Sequence, residues 1–213
     1  MWRTVIFLIF TLIIVPILTF NFDVPLTELQ QSTLKTLLCV YGIAAGLCFI
    51  VSSATKNYSQ VDKLWSIIPI PYVWIIAYNT DFEPRITLMA FLVSIWAVRL
   101  TYNFARRGGY SWKIWTGEED YRWSILRAKP EFQSQWKWSA FNLFFISAYQ
   151  MALILFFTLP ALKAMESNIP IGILDYILAA IFVALVIMEY IADNQQYYYQ
   201  EEKYRQKKIG KVA

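Results

Sequence analysis

The sequence predicts an all-α, polytopic membrane protein, a bundle of about six transmembrane helices that forms one membrane domain over residues 1–213. Hydrophobic residues make up 58% of the 213 residues and charged residues 16%, whereas charged residues make up about 25% of an average soluble domain. The mean hydropathy is +0.42. The apolar residues also lie in blocks close to the roughly 20 residues that a helix needs to cross a bilayer.

Six apolar blocks predict the spans, and polar or turn-forming residues bound each block. The predicted spans are residues 2–20, 34–54, 61–78, 86–105, 139–160 and 171–192. The first span is predicted to be a retained anchor, because no small-residue cleavage site follows it. The third span is short and contains Pro69 and Pro71, which predict a kinked or broken helix because proline has no backbone N–H.

The distribution of Lys and Arg along the chain predicts its orientation. Of these 19 residues, fifteen lie on the side that holds both chain ends, three lie on the opposite side, and Arg99 lies inside the fourth span. Basic residues concentrate on the cytosolic side of membrane proteins. The chain is therefore predicted to be an integral, multi-pass protein with both termini and the tail 193–213 in the cytosol. Its net charge of +4 then reflects topology, and the predicted partner is the lipid bilayer rather than a nucleic acid.

The connection between the fourth and fifth spans, residues 106–138, is rich in aromatic residues. Five of the nine tryptophans lie in it: Trp112, Trp115, Trp123, Trp136 and Trp138. Aromatic rings with interspersed charges are typical of the headgroup region of a bilayer. We therefore predict that this connection is an interfacial segment of short helices.

Several classes of functional site are excluded by composition and motif. Histidine is absent, and both cysteines, Cys39 and Cys48, lie in one apolar block. Imidazole and thiolate groups are the usual ligands of zinc and haem, so no metal site is predicted. The sequence also has no phosphate-binding glycine loop and no nucleophile elbow. The catalytic residues therefore stay unassigned.

Polar side chains inside the spans are informative, because each is costly in lipid unless it is paired or hydrated. Arg99, Asn103 and Arg106 recur at helical spacing on one face of the fourth span. Arg99 either reaches the lipid headgroups or lines a basic groove for a phosphate-bearing ligand. Glu189 and Asp193, four residues apart in the sixth span, either pair with Arg99 or a lysine, or hydrogen-bond to a bound cofactor.

Three further residues have simpler structural interpretations. Gln150 lies near the middle of the fifth span, where an amide predicts an interhelical hydrogen bond. Asp62 and Trp65 open the third span, where they predict a helix cap and an interfacial anchor.

Five stretches, in this order, carry a resemblance to a known family. They are Asp62-Lys63-Leu64-Trp65; Trp96 to Thr101, continuing to Arg107; Glu119-Asp120-Tyr121-Arg122-Trp123; Gln150, about ten residues before Pro160; and Glu189 to Gln195. Together they cover about residues 60–200. The chain resembles the steroid 5-alpha-reductase-like membrane family, in the branch of the DUF1295 type.

The resemblance implies a helical bundle that opens toward the cytosolic leaflet, with NADPH as the cofactor in a cytosol-facing cavity. It implies hydride transfer to a polarised carbon–carbon double bond of a lipid-like or steroid-like small molecule, in the endoplasmic reticulum. Transfer of this kind needs a dry pocket with basic groups for the cofactor phosphates at its mouth. The implied cofactor-binding residues are Glu189, Asp193, Arg99, Arg107, Glu119, Asp120 and Arg122.

One departure from the family opens two alternatives. In the family, the motif of the sixth span is followed by a Gly-Leu-Trp stretch, by Arg-His-Pro-Asn-Tyr and a Glu, and by further membrane helices. The chain ends at Ala213, where that stretch is expected to begin. We therefore expect either an incomplete chain of a reductase or a shortened relative that has lost catalysis. The alternative functions are a non-catalytic membrane scaffold or lipid-binding protein, and a membrane lipid or thiol-ether methyltransferase that binds S-adenosylmethionine.

Overall fold

The computed structural model describes residues 6–7, 9–22, 24–111, 119–167 and 169–210, and within these ranges the fold is built from helices with no β-strand. The α-helices, in chain order, are α1 Val15–Phe22, α2 Glu28–Thr55, α3 Gln60–Leu64, α4 Pro69–Asn79, α5 Pro84–Arg106, α6 Tyr121–Arg127, α7 Gln135–Phe141, α8 Gln150–Lys163 and α9 Ile173–Lys208. A π-helical segment, Phe10–Ile14, precedes α1, and a second, Asn142–Tyr149, joins α7 to α8. The predicted all-α architecture is confirmed.

Four helical units in the described part of the chain are long and apolar enough to cross a bilayer. They are α2, α5, the continuous unit Gln135–Lys163 and α9. These units contain the predicted second, fourth, fifth and sixth spans. The predicted first span lies partly outside the described residues, so the prediction of six spans stays a prediction.

The third predicted span is divided into α3 and α4 at its prolines. Pro69 and Pro71 lie in the first turn of α4, where a missing N–H costs no helical hydrogen bond. The 11 residues of α4 extend only about 16 Å, roughly half the thickness of a bilayer core. Tyr72, Val73, Ile76 and Ala77 are nevertheless almost fully buried, because α4 packs between α2, α5 and α8. The helix α4 is therefore short and buried, and it runs back toward the start of α2, where Asn79 donates to the hydroxyl of Thr33 at 3.0 Å.

The central pair of helices, α2 and α8, is joined by hydrogen bonds near both ends. At one end the side-chain amide of Gln30 donates to the backbone oxygen of Met165 at 3.3 Å. At the other end Asn142, which is 1% exposed, donates to the hydroxyl of Ser52 at 2.9 Å. Such pairs supply the partners that lipid cannot offer to buried polar groups.

The last helix, α9, lies at the edge of the bundle and packs against α5. Of its residues only Val186 is buried, so most of its apolar surface faces outward. Its first turn is fixed to the start of α5, because the guanidinium of Arg85 contacts both carboxylate oxygens of Asp175, at 2.8 and 3.1 Å. The helix continues to Lys208, so residues 193–208 of the predicted tail are helical.

The aromatic connection departs in part from its predicted interfacial placement. It does contain short helices, α6 and a 3₁₀ turn, Pro130–Phe132. Trp136 is 70% exposed, but Trp123 and Trp138 are buried in the core. Trp138 packs against the ring of Tyr58 at 4.9 Å between centroids. Aromatic rings at this end therefore contribute to the core as well as to the surface, and Trp112 and Trp115 lie outside the described residues.

We predict that Asn142→Leu destabilises the protein by about 1–2 kcal/mol, because it removes the hydrogen bonds between Asn142 and the buried hydroxyl of Ser52. Asn142 donates to Ser53 at 3.1 Å as well as to Ser52. The matched control is Ser53→Ala, which removes only one of the two acceptors, at an exposed position, and should have a smaller effect. The measurement is thermal unfolding in detergent. Equal melting temperatures for the wild type and Asn142→Leu would show that these bonds contribute nothing to the fold.

Candidate functional site

A cavity of about 540 Å³ lies at the end of the bundle where α2 and α5 end. Four parts of the chain line it: the α3 region, the end of α5, the segment before α6, and the start of α8. The lining residues are Ser59, Asp62, Trp65, Ser66, Leu100, Phe104, Arg107, Gly109, Glu119, Asp120, Arg122 and Gln150. Its volume is within the range of small-molecule sites, about 300–1,000 Å³. This end of the bundle is the one predicted to face the cytosol.

One face of α5 lines the cavity through three residues at helical spacing. Leu100, Phe104 and Arg107 follow one another at intervals of four and three residues, so their side chains share a face. The ring of Phe104 packs on Gly109, where a Cβ atom would lie 2.3 Å from the ring. Arg107 is exposed, and its guanidinium has no hydrogen bond or ion pair to any residue that the structure describes. Within the described part of the chain, its positive charge at the cavity is not paired with a carboxylate.

The segment before α6 is fixed to the turn before α3 by two hydrogen bonds. A carboxylate oxygen of Glu119 accepts from the backbone N–H of Tyr58 at 2.8 Å. The backbone N–H of Asp120 donates to the hydroxyl of Ser59, also at 2.8 Å. Asp120 also pairs with the guanidinium of Arg122 at 2.7 Å. That guanidinium holds the pKa of Asp120 below its usual value, and the pairing neutralises the charge of Arg122.

Asp62 differs from the other two carboxyl groups of the cavity. It lies on α3, outside the four candidate spans, and its Oδ2 atom is buried without a hydrogen-bond partner among the described residues. Burial raises the pKa of this carboxyl, because an ionised carboxylate loses more hydration energy than a neutral acid. One cavity therefore contains a carboxylate kept ionised, Asp120, and a carboxyl shifted toward its protonated form, Asp62.

The deeper wall of the cavity contains the interhelical hydrogen bond predicted for Gln150. The indole Nε1 of Trp65 donates to the side-chain oxygen of Gln150 at 3.1 Å. Next to it, the hydroxyl of Thr101 donates to the hydroxyl of Ser66 at 2.7 Å. Trp65, predicted as an interfacial anchor, lies instead against this wall, because the turn between α3 and α4 directs it into the bundle.

Five lining residues had no predicted role in the sequence analysis: Ser59, Ser66, Leu100, Phe104 and Gly109. Serine, leucine and phenylalanine at these positions carry no sequence signal that separates a cavity wall from a core. Gly109 is the exception, since it belongs to the Gly108-Gly109 pair directly after the basic end of α5. That pair is a recognisable turn signal.

The remaining predicted site residues form a separate cluster between α5 and α9. Arg99 pairs with Asp193 at 2.7 Å and with Glu189 at 3.1 Å. The side chains of Arg99, Asp193 and Glu189 are 11%, 22% and 51% exposed. Arg106, two turns further along α5, bonds to Asn103 on its own helix and to Asn194 on α9. Glu189 and Asp193 thus form the ion pair with Arg99 that was one of their two predicted interpretations. Because it is held in this pair, the side chain of Arg99 does not extend to the headgroups.

The predicted cofactor-binding residues are therefore divided between two places. Arg107, Glu119, Asp120 and Arg122 line the cavity, whereas Arg99, Glu189 and Asp193 are paired with one another and do not line it. Among the described residues, no group of three or more Cys, Asp or Glu side chains is arranged to hold a metal ion.

The motifs that build both places also identify the family. A family model described as a protein of unknown function, DUF1295, matches residues 48–212. The chain belongs to the DUF1295 family. The chain is also 35% identical over 160 residues to a Schizosaccharomyces pombe protein that is named only as uncharacterized. No solved structure matches the chain.

The two matches cover different shares of this DUF1295 chain and of its relative. The matched residues include every lining residue of the cavity and the whole α5–α9 cluster. The alignment to the yeast protein covers 72% of this chain and 44% of the relative, so the chain spans less than half of that relative's length. The predicted DUF1295 membership is confirmed, while the wider likeness to steroid 5-alpha-reductases stays an implication of it.

We predict that Arg99→Met destabilises this DUF1295 chain by about 3–5 kcal/mol, because it leaves the mostly buried carboxylate of Asp193 without its partner. Glu189→Gln should cost less than about 1 kcal/mol, since Glu189 is half exposed. The double variant Arg99→Met/Asp193→Leu, which removes both charges, should recover most of the lost stability. The measurement is unfolding in detergent. A double variant no more stable than Arg99→Met alone would contradict the ion-pair assignment.

Proposed function

We propose that the protein is a membrane-embedded, NADPH-dependent reductase of a carbon–carbon double bond in a lipid-like or steroid-like molecule, with the cavity at the end of α5 as its active site. The observation that supports the proposal best is a polar cavity of about 540 Å³ at the basic end of an otherwise apolar bundle. Family membership supports the same reading, because DUF1295 proteins are related in sequence to the steroid reductases. The proposal also places the protein in the endoplasmic reticulum membrane with both termini in the cytosol.

The residues of the cavity fit NADPH in charge and in chemical character. Arg107 offers a guanidinium with no partner among the described residues, and a guanidinium binds phosphate oxygens through two parallel hydrogen bonds. Arg122 is less suited to this task, because Asp120 already neutralises it. The rings of Trp65 and Phe104 give part of the cavity apolar walls. When bound, NADPH supplies the hydride of the reduction.

A reduction by hydride also needs a proton, and Asp62 is the group in the cavity best placed to hold one. Its buried Oδ2 atom lacks a partner in the described residues and burial raises its pKa, whereas Asp120 accepts hydrogen bonds from the guanidinium of Arg122 that favour its ionised form. Two carboxyl groups whose environments separate their pKa values are typical of acid and base roles in one active site. In the proposal, Asp62 donates a proton to the carbon next to the one that receives the hydride.

The proposal gives Arg99, Glu189 and Asp193 a supporting part. These three side chains form ion pairs with one another, and the pairs join α9 to α5. A different face of α5 lines the cavity. We assign them to holding α5 in place rather than to direct contact with the cofactor. Because the chain spans less than half of its yeast relative's length, the activity is proposed for the protein to which this chain belongs.

We predict that the full chain in phospholipid nanodiscs binds NADPH. Arg107→Met should weaken binding by about 10- to 150-fold, which is the loss of affinity expected when a hydrogen bond to a charged group is removed. Binding is measured by NADPH fluorescence. The matched control is Lys207→Met in the last turn of α9, which should bind as the wild type does. NADPH oxidation is then measured with a sterol enone and with an enoyl lipid.

Absence of NADPH binding by the wild type would contradict the proposal. Binding of S-adenosylmethionine in its place would favour the methyltransferase alternative. Binding of lipid without either cofactor would favour the non-catalytic scaffold.

A further inference from the structure

The contact between Trp65 and Gln150 determines which way the glutamine amide faces. An indole nitrogen can only donate a hydrogen bond, so the atom that it meets at 3.1 Å is the amide oxygen of Gln150. The amide nitrogen must then point away from the indole. The orientation of a glutamine side chain is often ambiguous, but here a donor-only partner fixes it.

The indole of Trp65 is itself held in place by packing. Its ring lies 6.4 Å from the ring of Phe157 on α8, and Phe157 also contacts Trp96 on α5 at 6.1 Å. Trp65, Trp96 and Phe157 therefore form a rigid aromatic group between three helices. An amide bonded to this group cannot rotate without losing the hydrogen bond.

The backbone before Gln150 has an unusual conformation that sets the direction of its side chain. The eight residues Asn142–Tyr149 form a π-helix, and Gln150 is the first residue of α8. A π-helical turn contains an extra residue, which rotates everything after it relative to an α-helix, and such turns are frequent at functional sites. Gln150 is the residue of α8 that this rotation brings to the cavity wall.

The amide nitrogen of Gln150 has two N–H groups and no acceptor among the residues that the structure describes. Its side chain lines the cavity next to the apolar side chains of Leu100 and Phe104. Because the cavity admits water, these two N–H groups bond to water while no ligand is bound. A ligand that displaces this water keeps the hydrogen bonds only if it brings an oxygen atom to the same place.

We propose that Gln150 is the specificity-determining donor of the cavity, and that it binds the carbonyl oxygen of the lipid-like ligand. Trp65 is a positioning residue that keeps the amide nitrogen turned toward the ligand. A ligand without an acceptor at this place leaves the two N–H groups unpaired, so it is selected against. The inference rests on the proposed function in taking the cavity as the place where the ligand binds and a lipid-like carbonyl compound as that ligand.

The experiment uses the full chain in phosphatidylcholine nanodiscs, without NADPH. The probe is a sterol enone with an isotope-labelled carbonyl group, and the comparison ligand is the same sterol with a methylene group in place of the carbonyl. Affinity is measured for both, and infrared difference spectroscopy records the carbonyl stretch of the bound enone. A donated hydrogen bond lowers the frequency of that stretch.

We predict that Gln150→Met weakens binding of the enone by about 2- to 12-fold, the range expected for one neutral hydrogen bond, and leaves the methylene sterol unaffected. The carbonyl stretch should move to higher frequency in this variant. Trp65→Phe keeps the apolar ring but removes the indole N–H, so it should give an intermediate affinity and a broadened carbonyl band. Gln150→Glu keeps an acceptor for Trp65 but offers no amide donor, and it should also lose the preference for the enone.

The matched control is Gln196→Met at an exposed position of α9, which should behave as the wild type in every measurement. The inference is overturned if Gln150→Glu and Gln150→Met bind the enone with unchanged affinity and unchanged carbonyl frequency. It is also overturned if the wild type binds the enone no more tightly than the methylene sterol. NADPH is absent from this experiment. A failure of NADPH binding or oxidation would therefore contradict the proposed function without changing the interpretation of the sterol affinities and the carbonyl frequencies.

Discussion

Inside a bilayer no water pairs with a buried polar group, so each polar side chain needs a partner from the protein. Most of this bundle meets that requirement by pairing one helix with another. Arg99 on α5 takes Asp193 on α9, and Asn142 takes Ser52 on α2. Some buried atoms away from the cavity, such as the hydroxyl oxygens of Tyr72 and Ser147, also have no partner among the described residues. Three unpaired groups nevertheless share one cavity: the carboxyl oxygen Oδ2 of Asp62, the guanidinium of Arg107 and the amide nitrogen of Gln150. Because these three groups line one volume, we treat the cavity as a binding site.

The helix α5 connects the cavity with the ion pairs to α9, because different faces of the helix contact each of them. Leu100, Phe104 and Arg107 face the cavity, whereas Arg99 and Arg106, about a quarter turn or more away on the helix, face α9. A third face carries Val98, which is 62% exposed and lines an apolar surface groove with Arg99 and Tyr190. The ion pairs with α9 therefore fix the rotation of α5 about its axis. That rotation decides which residues reach the cavity.

The sequence predicted the parts of this arrangement that depend on composition and helical spacing. Apolar blocks of bilayer length predicted the all-α membrane bundle, and the spacing of Arg99, Asn103 and Arg106 predicted one shared face. The order of the family motifs predicted that Arg107 and Glu119 belong to one site, and both line the cavity. The spacing of Glu189 and Asp193 left an ion pair and a cofactor contact equally open, because both need the same carboxylates at the same positions.

The rest required tertiary contacts that a single sequence does not contain. A short apolar helix such as α4 has the same composition whether it crosses a bilayer or fills a core, and only its packing between three neighbours distinguishes the two. Trp123 and Trp138 likewise match the pattern of an aromatic belt, although they are buried. The orientation of the Gln150 amide depends on Trp65, 85 residues away in the chain.

The most direct test of the account is the accessibility of two engineered cysteines on opposite faces of α5, in a chain whose native Cys39 and Cys48 are replaced by Ala. In nanodiscs, a water-soluble thiol reagent should modify Leu100→Cys quickly, because the cavity admits water, and Val98→Cys slowly, because lipid suppresses the reactive thiolate. NADPH should slow modification of Leu100→Cys and leave Val98→Cys unchanged. Equal, NADPH-independent rates at the two positions would contradict the claim that this face of α5 lines a ligand-binding cavity.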